Sequence, residues 1–184
     1  NLKGSLRLVY GNAQRLLLLV NQLMDLRKNQ SGNLQLRVSH NDLYLFTQEI
    51  YIAFNQIAVK ERIIFRLESD ESGIDAWFDR VLLEKVFFNL LSNAFKHTAP
   101  DESITIRLQL FSVAGLQEQF PGRISGEVRG TSRYVCLSVE DTGKGIDDSD
   151  KFHIFSPFYQ GTDESESNTA GTGIGLSLVL SIVK

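Results

Sequence analysis

The stretch EKVFFNLLSNAFKHT, residues 84–98, constrains the fold more than any other part of the chain. It reads as part of a helix from Arg80 to about His97, with Asp79 as its N-cap. Apolar residues surround most of its circumference, so the helix is predicted to be largely buried. Asn89 and Asn93 interrupt that surface four residues apart, roughly 40° apart on the helical wheel, and Lys96 adjoins the same stripe. A buried amide without a partner costs about 1–3 kcal/mol, so these side chains need something to bind. An Asn oxygen can ligate Mg²⁺ directly or through its waters, and a Lys donates to phosphate as a point charge. The same three residues also fit a solvated polar edge.

The rest of the chain alternates strands and helices around this element. LQLRV (34–38) alternates as a strand, and SHND (39–42) offers caps for a helix of about fifteen residues that ends near Val59. IIFRL (63–67) and IDAWF (74–78) read as strands joined by the turn-rich ESDESG. SITIRLQLF (103–111) and RYVCLSVE (133–140) are strands too. The link between them holds Gly115, Pro121, Gly122, Gly126 and Gly130, which predicts an extended hairpin loop. A last helix starts near Gly173 and runs to Lys184. Two hairpin-like pairs with few helices predict an α+β two-layer sandwich with a mixed, mostly antiparallel sheet under helices. One long helix precedes it: Leu2, Leu6, Val9, Ala13, Leu16, Val20 and Leu23 form a heptad seam, widened by Leu17, Leu18 and Met24. NQSGN (29–33) separates that helix from the rest of the chain, which favours pairing outside its own domain.

Composition narrows the partners. The net charge of −3 argues against a broad nucleic-acid surface. A single cysteine, Cys136, excludes an intrachain disulfide and fits a reducing compartment. The longest apolar run, Leu16 to Val20, is far too short to span a bilayer, so no direct membrane contact is expected of this segment.

Two further motifs carry chemistry. In VCLSVEDTGKGI a strand delivers Asp141 into a turn with Gly143 and Gly145. A carboxylate there could accept from an exocyclic amino group such as adenine's, while the glycines let a flat ring approach. An ordinary Asp-Gly reversal uses the same residues. An aspartic-protease triplet would need a second copy, and Lys144 would oppose proton sharing in such a dyad. In AGTGIGLSLV (170–179), Gly171, Gly173 and Gly175 recur at every second residue. Leu176 and Leu178 break the G-x-G-x-x-G dinucleotide pattern, and Ser138 breaks the P-loop pattern around Gly143 and Lys144. What remains is a glycine-rich helix start, suited either to an anion or to close helix packing.

The order of these elements closely resembles the ATP-binding domain of sensor histidine kinases. NLLSNAFKHT matches the family's N box, DTGKGI its first glycine box, FSPFYQ its F box and GTGIGLSLV its second glycine box. The resemblance covers Leu34 to Lys184, as an ATP-binding catalytic domain of the Bergerat type. Residues 1–30 then resemble the second helix of the dimerisation and phosphoacceptor hairpin.

The resemblance implies a role for each matching residue. Asn89 and Asn93 would hold Mg²⁺ and the phosphates, with Asn89 as the metal ligand, and Lys96 would contact phosphate. His97 would lie against the nucleotide ring, and Asp141 would read the adenine amino group. Gly143, Gly145 and Ile146 would shape the base pocket. Residues from Phe158 to Thr172 would form a lid over ATP, anchored by Phe155 and Phe158. Gly171, Gly173 and Gly175 would present amides to the phosphates, and Leu176 would line the pocket. Related gyrase-type and mismatch-repair ATPases place a water-activating glutamate where Asn89 stands, and Glu84 is not at an equivalent position. That favours phosphoryl transfer over hydrolysis.

The implied protein is a histidine kinase using ATP and Mg²⁺, dimeric through its first helix and passing phosphate to a response-regulator receiver domain. It would be the cytoplasmic part of a membrane-anchored bacterial sensor. His40, His97 and His153 lack the phosphoacceptor's Ser-His-Glu context, so the acceptor would lie upstream, and the strand expected after the last helix is missing. The acidic TDESES segment (162–167) is expected to stay in solvent. The alternative is a nucleotide-binding interaction module, or an ATPase of the same superfamily, without histidine transfer.

Overall fold

A computed structural model describes residues 35–121, 133–161 and 172–184, together with Val20, Met24 and Arg27, which are helical. The rest of the predicted heptad helix and most of the glycine-rich link after Pro121 lie outside the described residues. So do Gly171 and residues 162–170. The chain forms two units, one of residues 38–78 and 91–145, the other of residues 1–37, 79–90 and 146–184.

The first unit begins with β1 (Ser39–Asp42) and α1 (Leu43–Glu61), followed by β2 (Ile64–Ser69) and β3 (Asp75–Phe78). It continues with β4 (Ser103–Phe111), α3 (Val113–Gln119) and β5 (Tyr134–Asp141). The helix α2 (Arg80–His97) runs continuously from residues of the second unit into residues of the first. The second unit also holds the short α4 (Asp148–Lys151) and α5 (Gly175–Val183).

In the first unit β2, β4 and β5 form one sheet, with β2 parallel and β5 antiparallel to the central β4. Strand β4 alternates as a central strand should, with Ile104, Ile106 and Leu108 fully buried and Arg107 on the opposite face. Arg107 spans the three strands by bonding Glu68 of β2 and Glu140 of β5. Phe46, Ile50, Phe54 and Ala58 bury one face of α1. Phe54 stacks on Phe95, which also meets Phe65 of β2 edge-on, so helices and sheet share one aromatic core. This is the mixed α+β layering expected from the sequence.

Three local expectations are corrected. IIFRL and IDAWF do not form a hairpin: β3 pairs antiparallel with β1, and β2 pairs with β4. The chain after β2 stays tied to β4, since Asp70 N donates to Leu108 O at 3.1 Å and its carboxylate accepts from Leu110 N at 2.8 Å. The Asp42 carboxylate accepts from Ile74 N and from Leu45 N, holding the start of β3 beside the α1 N-terminus. Residues 35–38 of LQLRV do not form a strand, and Arg37 N donates to the Asp79 carboxylate at 2.7 Å rather than to a neighbouring strand. The first strand is SHND instead. Finally, the predicted loop after Phe111 contains α3, capped by the Ser112 hydroxyl.

Helix α2 follows the sequence reading closely in extent. Asp79 Oδ1 accepts from Val81 N and Leu82 N, the N-cap geometry. Its burial is less complete than predicted. Leu82, Val86, Phe87, Leu91 and Ala94 are buried, whereas Val81 and Phe88 are exposed.

Candidate functional site

The candidate residues fall into two sets, one in each unit. In the second unit, Asn89 and the start of α5 come together. Asn89 Nδ2 donates to Lys85 O at 2.7 Å, which fixes the amide and leaves its oxygen directed elsewhere. That oxygen lies 2.7 Å from where a Cβ on Gly175 would be. Gly175 is therefore a packing glycine, and what it packs against is the amide oxygen proposed to bind metal. Of the two readings of this residue, close packing and anion cradle, the packing contact is the one observed. Thr172 Oγ1 accepts from Ile174 N at 3.3 Å, and no side chain caps the helix at Ile174. The first amides of α5 are thus not taken by a cap, and a helix start of this kind favours an anion. Leu176 is half-buried on the first turn.

Gly173 precedes that turn with φ +67°, a conformation that costs an L side chain about 1–2 kcal/mol. A Cβ there would also lie 2.7 Å from the Phe158 carbonyl carbon. Phe158 itself has φ +65° and is exposed, as are Phe155 and Ile146. Two residues to which the sequence reading gave no individual role secure the same region. Tyr159 Oη donates to Asp150 Oδ1 at 2.7 Å, and the bond to that carboxylate, with burial, pushes the phenol pKa up. No sequence signal announces this pair, because nine residues separate them across a non-repetitive stretch.

In the first unit, the end of α2 meets the turn after β5. A Cβ on Gly143 would lie 2.2 Å from the carbonyl oxygen of His97 and 3.0 Å from Asp141 Oδ1. Only glycine allows the turn to sit so tightly against the helix end. Asp141 Oδ1 accepts from Gly143 N at 3.0 Å, which orients the carboxylate. Thr142 is fastened to Ser103 through its backbone N–H and its hydroxyl. Gly145 has φ +74°, and no described atom lies within 4 Å of a Cβ placed there, so open space flanks this side of the turn. Asn93 is half-buried on α2, while Lys96 and His97 are exposed at its end.

The electrostatics of this end are informative. Partial burial lowers the His97 pKa, and the charges of Lys96 and Lys144 lower it further, against an opposing effect of Asp141. Lys144, absent from the sequence-derived site, thus adds its charge to that of Lys96. A neutral imidazole among ammonium groups suits contact with an aromatic ring beside an anion.

A magnesium ion fits the donor set in one way. Among the described residues no group of three or more His, Cys, Asp or Glu could hold a metal by itself. The oriented Asn89 oxygen supplies one neutral hard ligand, appropriate for an ion that keeps waters and takes its remaining ligands from phosphates. Among the described residues no helix is long and apolar enough to cross a membrane.

Comparison with known proteins identifies the family. Residues 78–184 match the family model described as histidine kinase-, DNA gyrase B- and HSP90-like ATPase. Histidine kinase P4 of Formosa agariphila is 30% identical over 97% of this chain, which spans only 12% of that protein's length. The catalytic domain of histidine kinase ThkA, in a nucleotide-free form, is 25% identical with a TM-score of 0.60, covering 80% of this chain and 81% of that one. ThkA in complex with response regulator protein TrrA gives a TM-score of 0.61 at 22% identity, over 87% of this chain and 41% of that one. Full-length ShkA in complex with AMPPNP shares the fold at 20% identity, with a TM-score of 0.72 over 98% of this chain and 33% of ShkA. The chain therefore belongs to the histidine kinase-, DNA gyrase B- and HSP90-like ATPase family, as a catalytic domain of the sensor histidine kinase kind.

Proposed function

We propose that this chain binds Mg-ATP and transfers the γ-phosphoryl group to a histidine outside residues 1–184, for relay to a response-regulator aspartate. The orientation of the Asn89 amide carries the reading. Its Nδ2 is held by Lys85 O while its oxygen sits against Gly175 at the start of α5. A glutamate at this position would supply a base for water, whereas an amide neither accepts a proton at neutral pH nor activates water.

The residue roles are those that the resemblance to the sensor histidine kinase ATP-binding domain implies. Asn89 and Asn93 hold the metal and phosphates, Lys96 neutralises phosphate charge, and the amides around Gly171, Gly173 and Gly175 receive phosphate oxygens. Asp141 accepts from the adenine amino group, with Thr172, Ile146, Phe158 and Leu176 completing the contacts and His97 against the ring. Mg²⁺, held through Asn89 and Asn93, would supply positive charge that offsets the negative charge on the transferred group. In the transfer itself, an imidazole nitrogen of the acceptor forms the P–N bond as the bond to the β-phosphate oxygen breaks, leaving ADP. Positioning and charge neutralisation are the chain's contribution.

Residues 1–30 are proposed as the second helix of a dimerisation hairpin, and residues 34–184 as the catalytic domain. ThkA, crystallised with a response regulator, supports a receiver domain as the partner. The parent protein is proposed to be a bacterial sensor anchored in a membrane, with this part in the cytoplasm. The test adds the upstream helical segment of the parent protein and γ-labelled ATP. Acid-labile label on that segment is expected, and Asn89→Ala abolishes it. Release of free phosphate with no labelled protein would instead identify an ATPase.

A further inference from the structure

Helix α1 buries Leu43, Phe46, Ile50, Phe54 and Ala58 on one face and leaves the opposite face bare. On that bare face Leu45, Ile52 and Val59 stand in line, 53%, 63% and 72% exposed. They recur every seven residues, so each lies about 10.5 Å further along the helix and only about 20° round from the last. A single exposed apolar side chain is ordinary, but three in line along one helix form a seam without a partner.

The polar residues beside the seam identify what covers it. Gln48 and Asn55 lie roughly 40–60° to one side of Ile52 on the helical wheel, and Glu49 and Gln56 lie as far to the other. The pattern is centred on Ile52. Leu45 and Val59 are each seven residues from it, Gln48 and Gln56 each four, Glu49 and Asn55 each three. Such a face is complementary to itself about a two-fold axis at Ile52. A second α1 laid antiparallel puts Ile52 on Ile52 and Leu45 on Val59. It also puts Glu49 of one copy beside Gln56 of the other, and Gln48 beside Asn55. The Glu49 carboxylate can then accept from the Gln56 amide, and the two remaining amides can bond each other. The heptad seam of the first helix is a poorer cover. Its run of leucines and valines would enclose these four polar side chains without partners, at about 1–3 kcal/mol for each group left unpaired.

We propose that α1 is a self-association surface on which two copies of this chain pair antiparallel about Ile52. The contact is separate from the pairing proposed for residues 1–30, and it does not depend on nucleotide binding.

The test is disulfide mapping in the full chain, with its single cysteine removed by Cys136→Ser. Leu45→Cys, Ile52→Cys and Val59→Cys are introduced singly at these exposed positions and equilibrated in a glutathione buffer. Ile52→Cys is expected to cross-link to its own copy, and Leu45→Cys to Val59→Cys when the two chains are mixed. Leu45→Cys by itself is expected to stay uncross-linked, because antiparallel pairing sets its two copies about 21 Å apart, beyond the reach of a disulfide. Adding Ile52→Glu to both mixed chains opposes two carboxylates on the axis and is expected to lower the cross-linked yield about tenfold. Self-cross-linking of Leu45→Cys, no cross-link from Ile52→Cys, or an undiminished yield with Ile52→Glu would each overturn the inference. So would Ile52→Cys joining a Leu16→Cys chain in preference to its own copy, which would assign the face to the first helix.

Discussion

Phe158 N donates to the carbonyl oxygen of Gly173 at 2.8 Å, and both residues hold positive φ, +65° and +67°. This backbone clasp fixes the two ends of the stretch between them and sets the approach of the chain into α5. An alanine at Gly173 would strain φ and drive its Cβ to 2.7 Å from Phe158 C and 2.8 Å from Phe158 Cα. Those are backbone atoms and cannot rotate away. Gly173→Ala is expected to destabilise the fold by about 1–3 kcal/mol, measured by chemical denaturation. A variant as stable as the parent would show that the clasp is dispensable.

Gly175→Ala should behave in the opposite way. Here the added Cβ meets only the Asn89 amide oxygen, the end of a side chain that can turn aside. Alanine also favours the helix over glycine by up to about 1 kcal/mol. Stability is expected to hold or rise, while Mg-ATP affinity falls at least tenfold because Asn89 is displaced. Thermal unfolding and calorimetry on one preparation separate the two effects, and unchanged affinity would remove Asn89 from the site.

Asp79 gives a pH signature. Burial opposes its ionisation, but N–H donors from Arg37, Leu82 and Val81 and the Arg37 charge outweigh that and hold its pKa below 3.8. A depressed carboxylate stabilises the fold fully above its unfolded value, and the contribution is lost as pH falls through the lower folded value. Asp79→Ala is expected to cost roughly 1 kcal/mol at neutral pH and to flatten the acid limb of the stability profile. An acid limb identical to the parent's would assign acid sensitivity to other carboxylates.

His97 acts in a higher window. Its pKa is lowered from 6.5, so the folded chain binds its proton less readily than the unfolded chain does. The associated stability is complete above pH 6.5 and declines as the pH falls through the folded value. His97→Gln should remove this part of the profile between neutral and mildly acidic pH. An imidazole titration by NMR at or above 6.5 would contradict the assignment.

How much of this was legible in the sequence depended on whether the deciding interactions were local. The bounds of α2 were readable because Asp79 caps its own next residues, a contact made within three positions. The alternation of β4 was readable because one face of a central strand is buried along its length. Pairing of β2 with β4 was not, since each partner in the ladder, from Ile64 with Ser103 to Ser69 with Leu108, lies about forty residues from the other. The site divides along the same line. Asn89, Asp141 and the glycines were legible as motifs. The reasons for individual glycines were not, because Gly143 answers to His97 and Gly175 to Asn89. Lys144 and the Tyr159–Asp150 bond lie outside any spacing rule.

The central claim is that these residues bind Mg-ATP. Calorimetric titration of the chain with Mg-ATP, beside Asp141→Ala, tests it most directly. The account predicts saturable one-to-one binding by the parent and at least tenfold weaker binding by the variant. No heat of binding in the parent, or equal binding in both, would contradict it.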